Sequence, residues 1–251
     1  MAIKNHLPNA LTCLNLLCGC VALTLILGFD AGLATFSQQP AFLRWHPMVN
    51  AAFLIGIAAV ADFFDGLVAR ALHVSSPIGK DLDSLADMVS FGVVPGAVLF
   101  KLLQYILPQT QLPNSLAYLA FTVSIFSALR LAKFNNDTRQ SDSFIGVPTP
   151  ANTMLIVSLP VILAHDKFGL SGLILNPWVL LGLTFLMSGL LVAELPLFAL
   201  KFKNFKWQDN SLRFVFLLLS LLLLVLLQAA AVPLIILLYV VLSVVRRPAK
   251  A

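Results

Sequence analysis

Between Asp62 and Asp87 the chain reads Asp62-Phe63-Phe64-Asp65-Gly66-Leu67-Val68-Ala69-Arg70, eight further residues, and then Gly79-Lys80-Asp81-Leu82-Asp83-Ser84-Leu85-Ala86-Asp87. Five of the eleven carboxylates of the protein, Asp81 included, fall within these 26 positions. Asp62, Asp65, Asp83 and Asp87 interrupt runs that are otherwise apolar. A carboxylate at membrane depth costs several kcal/mol unless it is compensated, which makes intramembrane acids candidates for a functional site. Arg70 and Lys80 are too few to neutralise the group, so the cluster requires bound cations.

The surrounding composition supports membrane depth. Of 251 residues, 59% are hydrophobic and only 11% charged, against roughly 25% charged in a soluble domain. The expectation is an all-α integral membrane protein, a single domain over 1–251 with a core over about 1–165 and C-terminal helices over about 176–246. A span needs roughly 20 mostly apolar residues, which predicts about eight transmembrane helices near 10–29, 48–71, 82–107, 114–134, 149–165, 176–198, 211–229 and 232–246. Breaks are expected at Pro40 and Pro47, Ser75-Ser76-Pro77, Pro108 and Pro113, Pro148 and Pro150, Asn176-Pro177 and Pro233. The last two helices are separated by so little that one kinked helix is the alternative, and Glu194-Leu195-Pro196 is placed to end the sixth early. The N-terminus lacks a basic stretch ahead of the first apolar run, which is therefore read as a retained helix rather than a signal peptide.

The net charge of +5 comes from basic residues in short loops, which argues for orientation in a bilayer rather than a nucleic-acid partner. With both termini cytoplasmic, that side holds Lys4, Arg70, Lys80, Arg130, Lys133, Arg139, Lys201, Lys203, Lys206, Arg213, Arg246, Arg247 and Lys250, 13 of the 16 basic residues. Lys201-Phe202-Lys203-Asn204-Phe205-Lys206-Trp207 reads as a basic and aromatic anchor at the membrane boundary. Cys13, Cys18 and Cys20 read as small packing residues, since no partner cysteines or metal-type spacing exist elsewhere. His6, His46, His73 and His165 are scattered at predicted membrane edges. Glu194 either pairs with a base or lines a polar crevice.

Spacing gathers the acids. Asp62 and Asp65, three apart, share one face of the second helix; Asp83 and Asp87, four apart, share one face of the third. If Arg70 and Gly79 mark the membrane edge, Asp62 and Asp87 lie roughly 12 Å deep and Asp65 and Asp83 about 6–7.5 Å deep. Two facing layers of carboxylates result, and carboxylate oxygens are the ligands preferred by Mg²⁺ and Mn²⁺. Gly66 and Ala69 leave room for a substrate against the helix, Gly79 lets the next helix begin close by, and Arg70 suits a phosphate oxygen. Ser76 is a turn residue before Pro77 or a further hydroxyl contact. Asn9, Thr12 and Asn15, at spacing three, form a polar face on the first helix, either helix-packing glue or part of a binding site.

The acidic stretch resembles the signature of the CDP-alcohol phosphotransferases, D-x-x-D-G-x-x-A-R, eight residues, G-x-x-x-D-x-x-x-D. All eight fixed positions are present as Asp62, Asp65, Gly66, Ala69, Arg70, Gly79, Asp83 and Asp87. The resemblance implies two divalent ions, Mg²⁺ or Mn²⁺, clamping the diphosphate of a CDP-linked lipid. It makes Asp62, Asp65 and Asp83 chiefly metal ligands, and Asp87 the general base that also contacts a metal. Asn9, Thr12, Asn15, Gly66, Ala69, Arg70, Ser76 and Gly79 become the expected CDP-lipid contacts. It further implies a homodimer in the cell inner (cytoplasmic) membrane with the active site facing the cytoplasm.

Three further segments resemble the phosphatidylserine synthase branch of that family: Leu7-Pro8-Asn9 through Gly19; Leu82 through Pro95; and Arg130-Leu131-Ala132-Lys133-Phe134-Asn135 with Phe144-Ile145-Gly146-Val147-Pro148-Thr149-Pro150-Ala151. The implied reaction passes a phosphatidyl group from CDP-diacylglycerol to L-serine, giving phosphatidylserine and CMP. Arg130, Lys133, Asn135 and Thr149 are then the expected serine contacts. Basic residues would equally welcome inositol phosphate or glycerol 3-phosphate, and plain cytoplasmic anchoring is the other reading of Arg130 and Lys133. A cation or metabolite transporter is the rival class; the inverted repeats common in such proteins are not visible.

Overall fold

A computed structural model describes residues 2–29, 40–74, 76–136, 143–198 and 207–245. Helix α1 spans Ala2–Leu27 and α2 Ala41–Leu72. Helix α3, Pro77–Asp87, runs without a break into a π-helical stretch, Met88–Val93, then α4, Val94–Ile106, and a 3-10 turn, Leu107–Gln109. A 3-10 stretch, Asn114–Phe121, leads into α5, Thr122–Asn136. Strand β1, Ser143–Ile145, precedes α6, Thr149–His165; a single turn α7, Ser171–Ile174, and α8, Pro177–Val192, follow. Strand β2, Pro196–Phe198, comes before α9, Trp207–Leu227, and α10, Ala231–Val245.

Five helical runs among the described residues are long and apolar enough to cross a membrane, and α6 and α8 are shorter apolar helices. The run Asn210–Val245 is not one rod. Gln228 takes a φ of +52° in the connecting 3-10 turn, and the rings of Phe216 and Tyr239 lie 5.7 Å apart. A straight helix would hold those rings roughly 34 Å apart. The chain therefore doubles back, and α9 and α10 are two separate helices rather than one kinked helix.

Boundaries moved where local chemistry overrode hydropathy. Helix α1 begins at Ala2 with Pro8 inside it, and α2 begins just after Pro40 with Pro47 inside it, so neither Pro8 nor Pro47 acts as a break. Helix α3 begins five residues earlier than expected. The Gly79 N–H donates to Ser76 Oγ at 3.0 Å, and Pro77 occupies the first helical position, where no N–H is needed. Helix α8 ends at Val192, ahead of Glu194-Leu195-Pro196, and that segment turns into β2. The antiparallel pairing of β1 with β2, Ser143 opposite Phe198 and Ile145 opposite Pro196, was not anticipated.

The run 77–109 is the central post of the bundle. Of its most apolar window 61% is buried, against 28–33% for α1, α2 and the 114–136 run, whose outer faces are left for lipid. Around it pack Ala22 and Ile26 of α1, Ala51 and Ile55 of α2, and Leu155 and Ile156 of α6, all essentially inaccessible. Of the three cysteines only Cys18 is buried; Cys13 and Cys20 lie on the exposed side of α1, contrary to the packing expectation.

The π stretch needs help from its neighbours, because its widened turn disturbs the regular backbone bonding in a place without water. Thr153 Oγ1 of α6 donates to the Phe91 carbonyl at 3.0 Å, and Ser124 Oγ of α5 donates to the Gly92 carbonyl at 2.8 Å. Ser90 Oγ donates to the Asn15 carbonyl at 3.0 Å, and Gly19 lies so close to Ser90 that any Cβ would collide with its hydroxyl. Three helices thus brace the segment that follows Asp87.

Polar ties collect at one face of the bundle. Lys80 Nζ donates to the Asn135 carbonyl at 3.2 Å, and Asn135 Nδ2 donates to Ser84 Oγ at 2.8 Å. Lys133 pairs with Glu194 at 3.1 Å, which resolves the open role of that acid. The N–H groups of Gly146 and Val147 donate to the carbonyls of Leu195 and Leu190 at 3.0 and 2.9 Å. Gly146 takes a φ of +75°, and a side chain there would meet the Leu191 carbonyl.

Candidate active site

The C-terminal half of α2 and the last two turns of α3 bring the acids together as the helical spacing requires. Oxygens of Asp62, Asp83 and Asp87 all lie within 4.8 Å of one another. Asp65 stands apart from this trio. It is buried, at 6% exposure, and accepts a hydrogen bond from Thr12 Oγ1 at 2.7 Å. The arrangement is thus three convergent carboxylates with a fourth alongside, held by α1, in place of the two symmetric layers that depth alone suggested.

Three carboxylates at this separation repel one another unless a cation lies between them. Asp83 Oδ1 is buried and has no hydrogen-bond partner. An oxygen-rich, under-satisfied cluster of this kind fits a hard divalent ion such as Mg²⁺ or Mn²⁺. Asp62, Asp83 and Asp87 are the residues placed to hold it.

Beside the acids lies a cavity of about 250 Å³, walled by Asn9, Thr12, Asp65, Gly66, Ala69, Ser76, Gly79, Lys80 and Asp83 among others. Six of the eight residues expected to contact the CDP-lipid therefore share one wall. Gly79 is there for space: a Cβ would come within 3.1 Å of Asn9 Oδ1 and 3.0 Å of Ser76 Oγ. The other two expected contacts flank this lining, Arg70 with its guanidinium against Gly66. Arg70 is exposed, on the last turn of α2, and Lys80 takes a place on the wall that the sequence did not assign to it. Asn15 is fully buried behind the acids, where its Nδ2 donates to Asp87 Oδ1 at 3.1 Å. The polar face of α1 thus grips the carboxylates themselves.

The four residues expected to contact serine divide. Arg130 is buried at 7% exposure, donates from Nη1 to Thr149 Oγ1 at 3.4 Å, and lies close enough to Asp87 to interact with its charge. Lys133 and Asn135 are engaged instead with Glu194 and with Ser84 and Lys80. Sequence reasoning passed over Ser127 and Asn152, one turn from Arg130 and Thr149 respectively; both are fully buried. The signal that marks them is the one that marked the acids, a polar group at helical spacing inside an apolar run. Lys201, Lys203, Lys206, Arg139, Arg246, Arg247 and Lys250 lie outside the described residues. Trp207 of the expected anchor is exposed and stacks on Phe214 at 5.6 Å.

Membrane-length helices closing on a trio of acids at one face define a multi-pass membrane protein with a carboxylate-lined site. More narrowly, the chain belongs to the CDP-alcohol phosphatidyltransferase family, whose model matches residues 5–200. Among its relatives are proteins named CDP-diacylglycerol–serine O-phosphatidyltransferase. That of Bacillus subtilis is 33% identical over 177 residues, covering 68% of this chain and 88% of the relative. That of Helicobacter pylori is 34% identical over 180 residues, 70% and 71% of the two chains. That of Saccharomyces cerevisiae is 32% identical over 163 residues, 61% and 53%. The protein is accordingly an enzyme of a divalent-metal-dependent phosphotransferase family.

Proposed function

We propose that this enzyme transfers the phosphatidyl group of CDP-diacylglycerol to L-serine, forming phosphatidylserine and releasing CMP. The observation that carries the reading is the convergence of Asp62, Asp83 and Asp87 beside a cavity walled by Asp65, Gly66, Ala69 and Gly79 of the signature. The serine hydroxyl attacks the phosphorus that bears the diacylglycerol; the bond to the CMP oxygen breaks, and the hydroxyl proton passes to the Asp87 carboxylate. Divalent ions bound at Asp62, Asp65, Asp83 and Asp87 supply charge neutralisation of the diphosphate and of the departing CMP.

The remaining residues bind and orient. Asn15 holds Oδ1 of Asp87 and so orients the carboxylate that takes the proton. Thr12 fixes Asp65 in the same way. Lys80, on the cavity wall, adds a cation beside the space for anionic phosphate while its ammonium also donates to the Asn135 carbonyl. Arg130 takes the serine carboxylate. The acceptor assignment draws on the names of the relatives. The basic-residue asymmetry supports a site facing the cytoplasm with both termini on that side, and residence in the inner membrane belongs to the same reading. A homodimer is part of the same reading, tested by the mass of the protein in nanodiscs.

The deciding experiment offers purified enzyme CDP-diacylglycerol, Mn²⁺ and, in turn, labelled L-serine, inositol phosphate and glycerol 3-phosphate. Labelled phosphatidylserine with stoichiometric CMP is expected. CMP release at the same rate with and without serine, or turnover confined to a phosphorylated acceptor, would overturn the serine assignment.

A further inference from the structure

Asn152 is fully buried in α6, and neither its Nδ2 nor its Oδ1 has a hydrogen-bond partner. An amide buried with both ends unmet is costly and needs an explanation. Two groups nearby share the condition: Ser127 Oγ and Arg130 Nε are buried without partners. Ser127 and Arg130 are one turn apart on α5, and Thr149 and Asn152 are one turn apart on α6. The contact of Arg130 Nη1 with Thr149 Oγ1 joins the two helices at 3.4 Å. Thr153, next to Asn152, is tied to the Phe91 carbonyl, four residues beyond Asp87. The orphaned groups thus sit on two helices joined by the Arg130–Thr149 contact, and Arg130 is close enough to Asp87 to sense its charge.

Their chemistry is specific. Arg130 Nε and Asn152 Nδ2 are unmet donors suited to a carboxylate, and Asn152 Oδ1 is an unmet acceptor suited to an ammonium. A free α-amino acid presents both groups on one carbon, whereas a polyol phosphate presents no ammonium. We propose that Asn152, with Arg130 and Ser127, forms the acceptor subsite, and that the Asn152 amide is the specificity-determining group that recognises the amino acid. The inference rests on the amino-acid acceptor reading above and names the residues that enforce it.

The test is a kinetic comparison in nanodiscs of wild-type enzyme with Asn152→Leu, Asn152→Asp and Ser127→Ala, titrating L-serine and CDP-diacylglycerol separately. Asn152→Leu is expected to raise the serine KM about tenfold or more, the usual cost of deleting a hydrogen-bonding recognition group. The KM for CDP-diacylglycerol should stay within about twofold, and the melting temperature should hold or rise, because an apolar side chain of similar size replaces an unpaired amide. Asn152→Asp, which keeps an oxygen for the ammonium, should retain more serine affinity than Asn152→Leu. A serine KM unchanged in Asn152→Leu, or equal rises for both substrates, would overturn the assignment. Asn152→Ala, judged by the same two constants, decides the matter if the leucine variant does not fold. A wild-type enzyme inactive on serine would defeat the reaction reading itself; a serine-active enzyme indifferent to these substitutions would defeat only the subsite.

Discussion

Asp87 stands where a proton acceptor and a metal ligand are wanted together, and Asn15 is the residue that holds it. Asp87→Asn keeps the shape and removes the base, so turnover should fall by at least about 10²-fold, the usual worth of a general base, while bound CDP-diacylglycerol is retained. Loss of lipid-nucleotide binding in that variant would make Asp87 chiefly a ligand. Thr12→Val should raise the KM for CDP-diacylglycerol several-fold with a stability change of about 1 kcal/mol, the net value of one hydrogen bond; an unchanged KM would leave the Thr12–Asp65 bond a matter of packing. The acids were legible because carboxylates are rare in apolar runs and their spacing is helical, whereas Gly66, Ala69 and Gly79 stood out only through the family signature. Lys133 and Asn135 were not legible, because their partners Glu194 and Ser84 lie far off in sequence, and charge alone does not say which cation is already paired. Asn152 stood out less than Asn9 and Asn15 because it lies just past the Pro148-Thr149-Pro150 corner, where a polar residue reads as part of the helix start.

At the level of the element, the π stretch carries the acids at its head and is braced from three sides. Thr153→Val and Ser124→Ala each leave a main-chain carbonyl without its hydroxyl donor, at a cost of about 1–3 kcal/mol. Each should lower the melting temperature, and each should depress kcat as well if the brace sets the position of Asp87; a change in stability alone would confine the brace to folding. The start of α3 was written in the chain as Ser76-Pro77, a capping residue followed by a proline at the first helical position, and hydropathy concealed it because the first turn is polar. The strand pair was beyond reach: three residues in each of two loops form a pattern too short to distinguish from a turn. The π geometry is equally silent, since Met88–Val93 has an ordinary helical composition, and the partners that permit it sit on other helices.

The whole molecule is organised around two ends of different character. The site end is tied by Lys80, Asn135, Lys133, Glu194 and the strand pair, while the outer faces of α1, α2 and α9 offer little but apolar side chains. Gly146→Val should disrupt the site end by forcing a side chain into the Leu191 carbonyl at a strained φ, at roughly 1–3 kcal/mol. The measurable sign is a lowered melting temperature that removal of the half-exposed Lys133–Glu194 pair, worth about 1 kcal/mol or less, does not reproduce. Chelation of divalent ions should lower the melting temperature too, since the three clustered carboxylates would then face one another uncompensated; indifference to chelator would count against the metal site. The apolar helices were legible from hydropathy, and the fold-back at Gln228 was the division between α9 and α10 that the sequence left open. The strand ladder also has a mechanical consequence. Ser143 and Phe198 sit at its outer end and everything from α6 to α8 is enclosed behind it, so tension drawn from the C-terminal side reaches the ladder at its open edge. It would peel one bond at a time, like a zip, and the clasp that secures the site at rest would yield at low force before α8 was drawn from the bilayer.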